Sequence, residues 1–386
     1  MAPGSLAELG VAFLRLGLTA FGGPAAHVGL MRDEFVRRRA WLSEADFLDL
    51  VGASNLIPGP TSTELALHVG HRRAGVAGFF LAGFAFIGPA VAIVAGLAWA
   101  YESFGARPET LAVLAGVAPV VVAIVAHAAA GLGRTALRDP LTVAVGVSAA
   151  LAAYAGATEI AVLVAAGIAG LVGRRVVDAG RAVSGLVSIG SSVVSATAGA
   201  TGAAAAAAIL ASPLTVLLAF TKIGAVLFGS GYLLVALLRS ELVEGLGWIT
   251  ERQLLDAVAI GQLTPGPVTT SATFIGWLVA GPAGAAAATV GIFAPAFAAV
   301  ALSIPILPRL RRSPVARAFL DGVNAAAVAL IAVVAVELGR VAIDDLPTLV
   351  LGGAALAALA TGRVGSVALI VVGGGAGVLL ALARPA

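Results

Sequence analysis

The chain contains the stretch Asn55-Leu56-Ile57-Pro58-Gly59-Pro60-Thr61-Ser62-Thr63 and, 207 residues later, Gln262-Leu263-Thr264-Pro265-Gly266-Pro267-Val268-Thr269-Thr270. Both stretches interrupt apolar segments. Proline lacks a backbone N–H and glycine leaves helical geometry, so each Pro-Gly-Pro frees peptide groups within the apolar region. At membrane depth only protein, trapped water or a bound ion can satisfy such groups. The pair therefore predicts two broken helices with a polar site beside them.

The composition predicts an all-α polytopic membrane protein. Hydrophobic residues make up 60% of the 386 residues and charged residues only 11%, and the mean hydropathy is +1.05. Runs such as 76–100 and 349–360 carry no charge, and a soluble chain cannot hide this much apolar surface. The arginines fall mainly between apolar segments, which indicates loop charges that set topology and argues against a nucleic-acid partner.

Several function classes find no support in the residues. The chain has no cysteine, which excludes disulfides, thiolate metal sites and a cysteine nucleophile. The four histidines have no metal-ligand spacing, and no catalytic triad or cofactor loop is visible, so we expect no metal, no cofactor and no enzyme. The first thirty residues lack the pattern of a removable signal peptide.

The two Pro-Gly-Pro stretches belong to a longer repeat. At a shift of 207, Gly17 matches Gly224 and Trp41 matches Trp248, and after a one-residue deletion the match continues to Asp139 and Asp345. We therefore expect two homologous halves, 1–182 and 213–386, joined by a Ser/Gly/Ala-rich connector, 183–212.

Arginine is distributed differently in the two halves. The first half has six arginines in the loops at 32–39 and 72–73, whereas the second has four at 309–317, in a loop one crossing further along. Because loops rich in Lys and Arg stay cytoplasmic, the swap predicts inverted repeats. We expect about ten crossings, with 47–70 entering and leaving on one side at its Pro-Gly-Pro. The alternative is a broken helix that crosses, with a helical connector restoring parity.

Two cations occupy matching positions inside apolar segments. Arg15 and Lys222 precede their Phe-Gly pairs by the same interval, and intramembrane charge is costly and usually functional. Two such cations suit a divalent anion, and arginine can also donate to two oxygens at once. The alternative is that each side chain extends to the membrane interface.

The Phe-Gly pairs form a second discontinuity in each half. Glycine lets peptide N–H groups approach a ligand, and a helix starting beyond it points its positive end at an anion. Close helix packing is the structural alternative for these glycines. The two segments are Phe21-Gly22-Gly23-Pro24 and Phe228-Gly229-Ser230-Gly231.

Polar side chains beside the two breaks supply further candidates. Hydroxyls and amides can bind an oxyanion or a hydrated ion, or can cap the broken helix ends. This set comprises Asn55, Thr61, Ser62, Thr63, Gln262, Thr269 and Thr270, together with the prolines and glycines Pro58, Gly59, Pro60, Pro265, Gly266 and Pro267.

Four acidic or basic residues complete the candidates. His27 titrates near neutral pH unless burial changes that, and Glu64 has no acidic counterpart in the second half. Both are candidates for proton coupling, although Glu64 can also form a structural hydrogen bond. Glu34 and Glu241 match across the halves and are candidates for gates through pairing with basic loop residues. We also expect Ser43 and Thr250 to cap helices, and Asn324 to hydrogen-bond between helices or line a path.

The duplicated combination of Phe-Gly and Pro-Gly-Pro motifs, with the loop that ends near Trp41, resembles the chromate ion transporter family in its long two-domain form. The resemblance covers nearly the whole chain. It implies a multi-pass protein of a prokaryotic cytoplasmic membrane that exports chromate, driven by the proton gradient, with sulfate as a similar anion. It also implies that the two Phe-Gly and two Pro-Gly-Pro turns are signature sites. The second copy departs at Ser230-Gly231, so the halves need not do the same work.

Three classes of function follow from these residues. We favour a secondary transporter of a tetrahedral divalent oxyanion with alternating access between the halves. A channel for an oxyanion, or a transporter of sulfate or another anion, is the alternative, and a membrane-embedded enzyme has the least support. Surfaces of small residues are abundant enough to support a homodimer.

Overall fold

The computed structural model describes residues 5–105, 107–182, 211–228, 231–306 and 313–383, and within these ranges the chain is helical without a β-sheet. The expected all-α fold is confirmed there. The helices are α1 Leu6–Thr19, α2 Pro24–Arg32, α3 Glu44–Ser54, α4 Thr61–Phe104, α5 Pro108–Ala136, α6 Pro140–Tyr154, α7 Glu159–Ala182, α8 Pro213–Val226, α9 Leu233–Leu238, α10 Glu251–Leu263, α11 Ser271–Ser303, α12 Pro314–Ala342, α13 Leu346–Ala360 and α14 Ser366–Ala383.

Five segments are long and apolar enough to cross a membrane: α4, α5, Val268–Ser303, α12 and α14. The apolar helices α6, α8 and α13 are shorter. Residues 183–210 of the expected connector, and the candidates Gly229 and Ser230, lie outside the described residues.

The helix starts and breaks repeat between the halves. Ser43 accepts a hydrogen bond from the Asp46 amide and Thr250 one from Gln253, so both predicted caps are confirmed. α2 and α9 each continue into a π-helical turn, Asp33–Arg38 and Arg239–Gly245. The order α1 to α6 therefore recurs as α8 to α13, which supports two structurally related halves.

A kink that the sequence did not predict divides each long helix. The backbone leaves helical geometry at Ala74 and Gly75 in α4, and at Ala280 and Gly281 in α11, with φ of 60° and 61° at the glycines. A positive φ of this size favours glycine because it has no Cβ. The kinks make a short first limb and a long second limb in each helix.

The first-half segments double back on themselves. Asp46 near the start of α3 forms an ion pair of 2.7 Å with Arg72 near the end of the first limb of α4. Glu8 near the start of α1 forms one of 2.7 Å with Arg39, which follows the π-helical turn. The segments 8–39 and 46–72 are thus two hairpins, which we call the first-half hairpins, with their ends together.

The second-half hairpins, which we define by the repeat as the described residues of 215–246 and 253–278, meet the opposite end of α4. Its second limb starts at Gly75, beside the ends of the first-half hairpins. Near its far end the Tyr101 hydroxyl donates to Asp256 on α10 at 2.8 Å, and Glu102 accepts from the Trp277 indole on α11 at 2.8 Å. The hairpins of the two halves therefore approach the centre of the molecule from opposite ends of one long helix.

Close glycine contacts hold each half together. A Cβ placed on Gly17 of α1 would lie 2.6 Å from the carbonyl oxygen of Phe86 on α4, and one on Gly224 of α8 would lie 2.6 Å from that of Ile292 on α11. Because only glycine allows this approach, α1 packs directly on α4 and α8 directly on α11.

Candidate functional site

The hairpin tips lie at Ala20 and Gly59 in the first half and at Leu227 and Gly266 in the second. The tips of the two halves hydrogen-bond to each other. The Gly59 amide donates to the Leu227 carbonyl at 2.5 Å, and the Gly266 amide donates to the Ala20 carbonyl at 2.8 Å. The two bonds occupy equivalent positions in the repeats. Backbone groups that the Pro-Gly-Pro turns free from their own helices are thus satisfied by the other half.

Both central glycines are required by conformation and by space. Gly59 has a φ of 143° and Gly266 a φ of 96°, where L side chains are strained. A Cβ on Gly59 would also lie 2.8 Å from the Cβ of Ala296, and one on Gly266 would lie 2.8 Å from the Cβ of Ala90. The tips are therefore built for close backbone approach.

A small void lies beside the joined tips. Its volume is about 10 Å³, which is near the smallest space that holds one water molecule. α2 starts at Pro24 and α4 at Thr61, so two helix N-termini with their free N–H groups adjoin it. The lining residues are Pro24, His27, Pro60, Ser62, Gly231, Pro267, Val268 and Thr269. The structure thus brings together candidates from all four predicted motifs.

Buried polar atoms around these tips lack partners. His27 donates from Nε2 to the Ala20 carbonyl at 3.1 Å, while its Nδ1 has no hydrogen bond although the residue is only 1% exposed. The hydroxyls of Thr63 and Thr269 are also buried without a hydrogen bond. Gln262 lies near Tyr232, yet neither of its amide atoms makes a hydrogen bond of normal geometry. Such groups are costly to bury and available for a ligand.

A larger cavity, of about 540 Å³, leads to the tips between α2, α3, α5 and α12. Pro24 lines both spaces, which makes them adjacent. The polar or charged residues that line the cavity are Asn55, Thr61, Thr135, Arg138, Asp321 and Asn324. An anion entering here meets amides, hydroxyls, one guanidinium group and the carboxylate of Asp321 before it reaches the tips.

Arg138 is the functional candidate that the sequence did not reveal. It follows the C-terminus of α5, its Nε donates to the Thr135 carbonyl, and the residue lines the cavity. In the sequence it looks like an ordinary loop charge. Asp321 was also missed, and its position beside the cavity depends on how the halves pack.

An ion-pair bridge joins the halves beside the cavity. Arg174 on α7 contacts the carboxylates of Asp139 at 2.7 Å and Asp321 at 3.3 Å. Asp139 belongs to the first half and Asp321 to the second. The bridge therefore neutralises part of the negative charge near the cavity.

The two matching cations lie elsewhere. Arg15 is on the exposed face of α1, and Lys222 is 51% exposed and paired with Glu241 at 2.5 Å. Neither lines the cavity or the void, so their role as substrate cations stays a prediction. Glu34 pairs with Arg38 and Arg39, which means that both gate candidates form ion pairs within their own halves.

The remaining candidates have different surroundings. Glu64 is fully buried, and neither of its carboxylate oxygens is hydrogen-bonded. Its Oε1 lies on the side of Gly59 where a Cβ would be placed. Phe21 is 45% exposed, and Gly22 has a φ of 107°. Among the described residues, no group of three His, Asp or Glu side chains is arranged to hold a metal ion.

A duplicated helical membrane architecture, with broken helices meeting around a buried polar site, defines a multi-pass membrane transporter. The chromate transporter family model matches the chain twice, at residues 7–171 and 214–378. The chain belongs to the chromate transporter family.

Curated relatives cover nearly the same length. A probable chromate transport protein of Synechococcus elongatus is 33% identical over 91% of this chain and 89% of the relative. A chromate transport protein of Pseudomonas aeruginosa is 33% identical over 92% and 86%. An uncharacterized transporter of Methanocaldococcus jannaschii is 27% identical over 85% and 83%. No solved structure matches.

Proposed function

We propose that this protein is a secondary transporter that exports chromate, or a similar tetrahedral divalent oxyanion, across a prokaryotic cytoplasmic membrane. The observation that carries this proposal is the cavity that reaches the hairpin tips from the end of the molecule with Arg138 and Asp321. The names of the relatives support chromate as the anion.

By the repeat, the position equivalent to the cavity lies between α9, α10, α12 and α5. By the repeat, Asn324 corresponds to Ala118, and Val328 to Val122. The whole stretch 116–125 around these two residues is buried. We place the open end at the cavity and the closed end at this buried stretch, as alternating access requires. A channel would need both ends open at once, which this arrangement does not provide.

The hairpins give the proposed topology. We place the first-half hairpins as re-entrant on one membrane side and the second-half hairpins on the other, so the repeats are inverted. Four helices of each half then cross, with the long limbs of α4 and α11 among them, in place of the ten crossings expected. Because four is an even number, inversion requires one further crossing between the halves, in the connector 183–212. Since loops rich in arginine stay inside, the end with Arg72 and Arg174 is cytoplasmic. The cavity therefore opens to the cytoplasm, as an exporter requires for loading.

The chemistry of the path suits an oxyanion. Arg138 attracts the anion, and Asn55 and Asn324 offer amide N–H groups in the cavity. At the tips the N-termini of α2 and α4 and the hydroxyls of Ser62 and Thr269 supply further donors. The void must enlarge to hold the anion, which requires the hairpins to move. His27 and Glu64 are the buried groups available for protons.

The test is uptake of radiolabelled chromate into inverted membrane vesicles that contain the protein. We expect saturable uptake that sulfate competes for, and a several-fold loss of low-concentration uptake in Arg138→Gln. Arg134→Gln, which removes an exposed arginine four residues earlier on α5, is the matched control. Uptake equal to that of empty vesicles, with insertion confirmed, would overturn the proposed function. Equal uptake by both variants would contradict the role of Arg138 in the proposed function.

A further inference from the structure

The bond between His27 and Ala20 fixes which ring nitrogen is left without a hydrogen bond beside the void. A carbonyl oxygen can only accept, so Nε2 must carry the hydrogen in the 3.1 Å contact. A neutral His27 therefore has its lone pair on Nδ1, which is buried and without a hydrogen bond. Ala20 also accepts from Gly266 in the contact between the halves, so the ring orientation is tied to the joined tips.

A lone pair on Nδ1 repels an oxyanion. The void beside His27 adjoins two helix N-termini and the hydroxyl of Thr269, which favour an anion. Only a proton on Nδ1 converts the ring from an acceptor into a charged donor at that position. Resting on the proposed function, we infer that His27 binds one proton together with each oxyanion, so that the two are carried as a pair.

Within the described ranges, no titratable group hydrogen-bonds to the ring. Phe86 of α4 packs edge-on against it at 5.9 Å between centroids. On the elements around the void, Glu64 and His68 on α4 are buried titratable side chains, and Tyr232 before α9 is partly buried. None of them hydrogen-bonds to His27, whose described partner is Ala20.

The inference changes the energetics of export. A dianion that travels with one proton moves a net charge of minus one, so the membrane potential, negative inside, drives export. The proton gradient then opposes export, in contrast to the expectation that it drives it. In proteoliposomes, the voltage that balances a tenfold chromate gradient depends on the net charge that moves with each anion. It is about 59 mV for one net charge, and one pH unit across the membrane has the same effect. It is about 30 mV for two net charges, and a pH gradient then has no effect.

Two substitutions separate the roles of the ring nitrogens. In His27→Asn, the amide N–H can occupy the region of Nδ1 without titrating, although the bond to Ala20 is lost. In His27→Gln, the amide N–H can keep the bond to Ala20, but no titratable donor faces the void. His127→Asn, on α5 and outside the void, is the control.

The experiment measures the balancing voltage and pH gradient for radiolabelled chromate in proteoliposomes, under alkaline conditions where chromate itself stays a dianion. We expect about 59 mV and a pH response for the wild type and for His127→Asn, and about 30 mV without a pH response for His27→Asn. For His27→Gln we expect at least a tenfold loss of chromate binding. When chromate is added to weakly buffered wild-type protein, the protein should take up one proton for each anion that it binds.

Different outcomes overturn different claims. Wild-type chromate flux that ignores the pH gradient, or a pH response that His27→Asn retains, overturns the role of His27 and leaves the proposed function standing. If His27→Asn fails to fold, the balancing voltage and the proton uptake of the wild-type protein still test the inference. Wild-type protein that moves neither chromate nor sulfate overturns both.

Discussion

The hydroxyl of Tyr101 in the first half donates to the buried carboxylate of Asp256 in the second half at 2.8 Å. Asp256 is 2% exposed and also lies 3.6 Å from Arg252. The Tyr101 bond lies at the end of the molecule opposite the cavity. It joins the two halves at that end, whereas the ion pairs of Glu34 and Glu241 each form within one half.

Tyr101→Phe should open the closed end. Loss of a buried hydrogen bond to a charged group costs about 1.5–3 kcal/mol, which corresponds to roughly a tenfold or greater shift between conformations. The chain has no cysteine, so Ala257→Cys provides a single reporter beside Asp256. We expect faster labelling by a membrane-impermeant maleimide. Tyr154→Phe, at a tyrosine that is 75% exposed, is the control, and equal rates in both would contradict the idea.

Gly59→Ala and Gly266→Ala should destabilise the protein strongly. Each adds a Cβ at a positive φ and 2.8 Å from another Cβ, and strain and overpacking together cost about 2–5 kcal/mol. Gly75→Ala also has a positive φ, but no atom lies within 4 Å of its new Cβ, so we expect about 1–2 kcal/mol. Thermal unfolding in detergent measures the difference. An equal loss of stability in Gly59→Ala and Gly75→Ala would contradict this prediction. It would mean that the close contact at the tips contributes nothing to the free energy of unfolding.

Glu64→Gln should leave folding intact. A fully buried carboxylate without a hydrogen bond is stable only when protonated, and glutamine has nearly the same shape as the protonated acid. We expect a change in unfolding free energy within about 1 kcal/mol, measured by thermal unfolding at neutral pH. A larger loss would indicate an ionised Glu64 with a partner. Loss of the pH response of transport in Glu64→Gln, with His27→Asn retaining it, would move proton coupling to Glu64.

Arg174→Gln should weaken entry of the anion. A hydrogen bond from the Thr142 amide, assisted by Arg174, holds the pKa of Asp139 below its usual value. Asp139 therefore stays ionised at neutral pH, and loss of Arg174 leaves two uncompensated carboxylates near the cavity.

The expected result is a KM for chromate raised by roughly 3–10-fold at low salt, with a smaller effect at high salt. Arg175→Gln, at an exposed neighbour, should have little effect. Adding Asp321→Asn to Arg174→Gln should restore much of the affinity. An effect that ignores both salt and this second substitution would refute the electrostatic explanation.

The sequence predicted the local features well. The helical caps at Ser43 and Thr250 and the breaks at the Pro-Gly-Pro turns follow from the chemistry of single residues. The kinks at Gly75 and Gly281 were missed, because a glycine within an apolar run is usually a packing position.

Contacts between the halves were beyond the reach of local patterns. The partner of the Gly59 amide lies 168 residues away, and no periodicity identifies it. Arg138 became a candidate only when α5 and α12 enclosed a cavity. Arg15 has a favourable position in the sequence, but the face of α1 that packs on α4 leaves its side chain outside. Tertiary packing thus decided which charges belong to the site.

The exchange of bonds between Gly59 and Leu227, and between Gly266 and Ala20, has a consequence for the repeat itself. A single repeat kept alone has a tip amide with no partner, and its tip carbonyl loses one donor, in a medium where neither finds water. The smallest unit that satisfies its own backbone is therefore two repeats in opposed orientation. Residues 1–182 and 213–386 produced as separate chains should each be degraded alone, and should accumulate when made together.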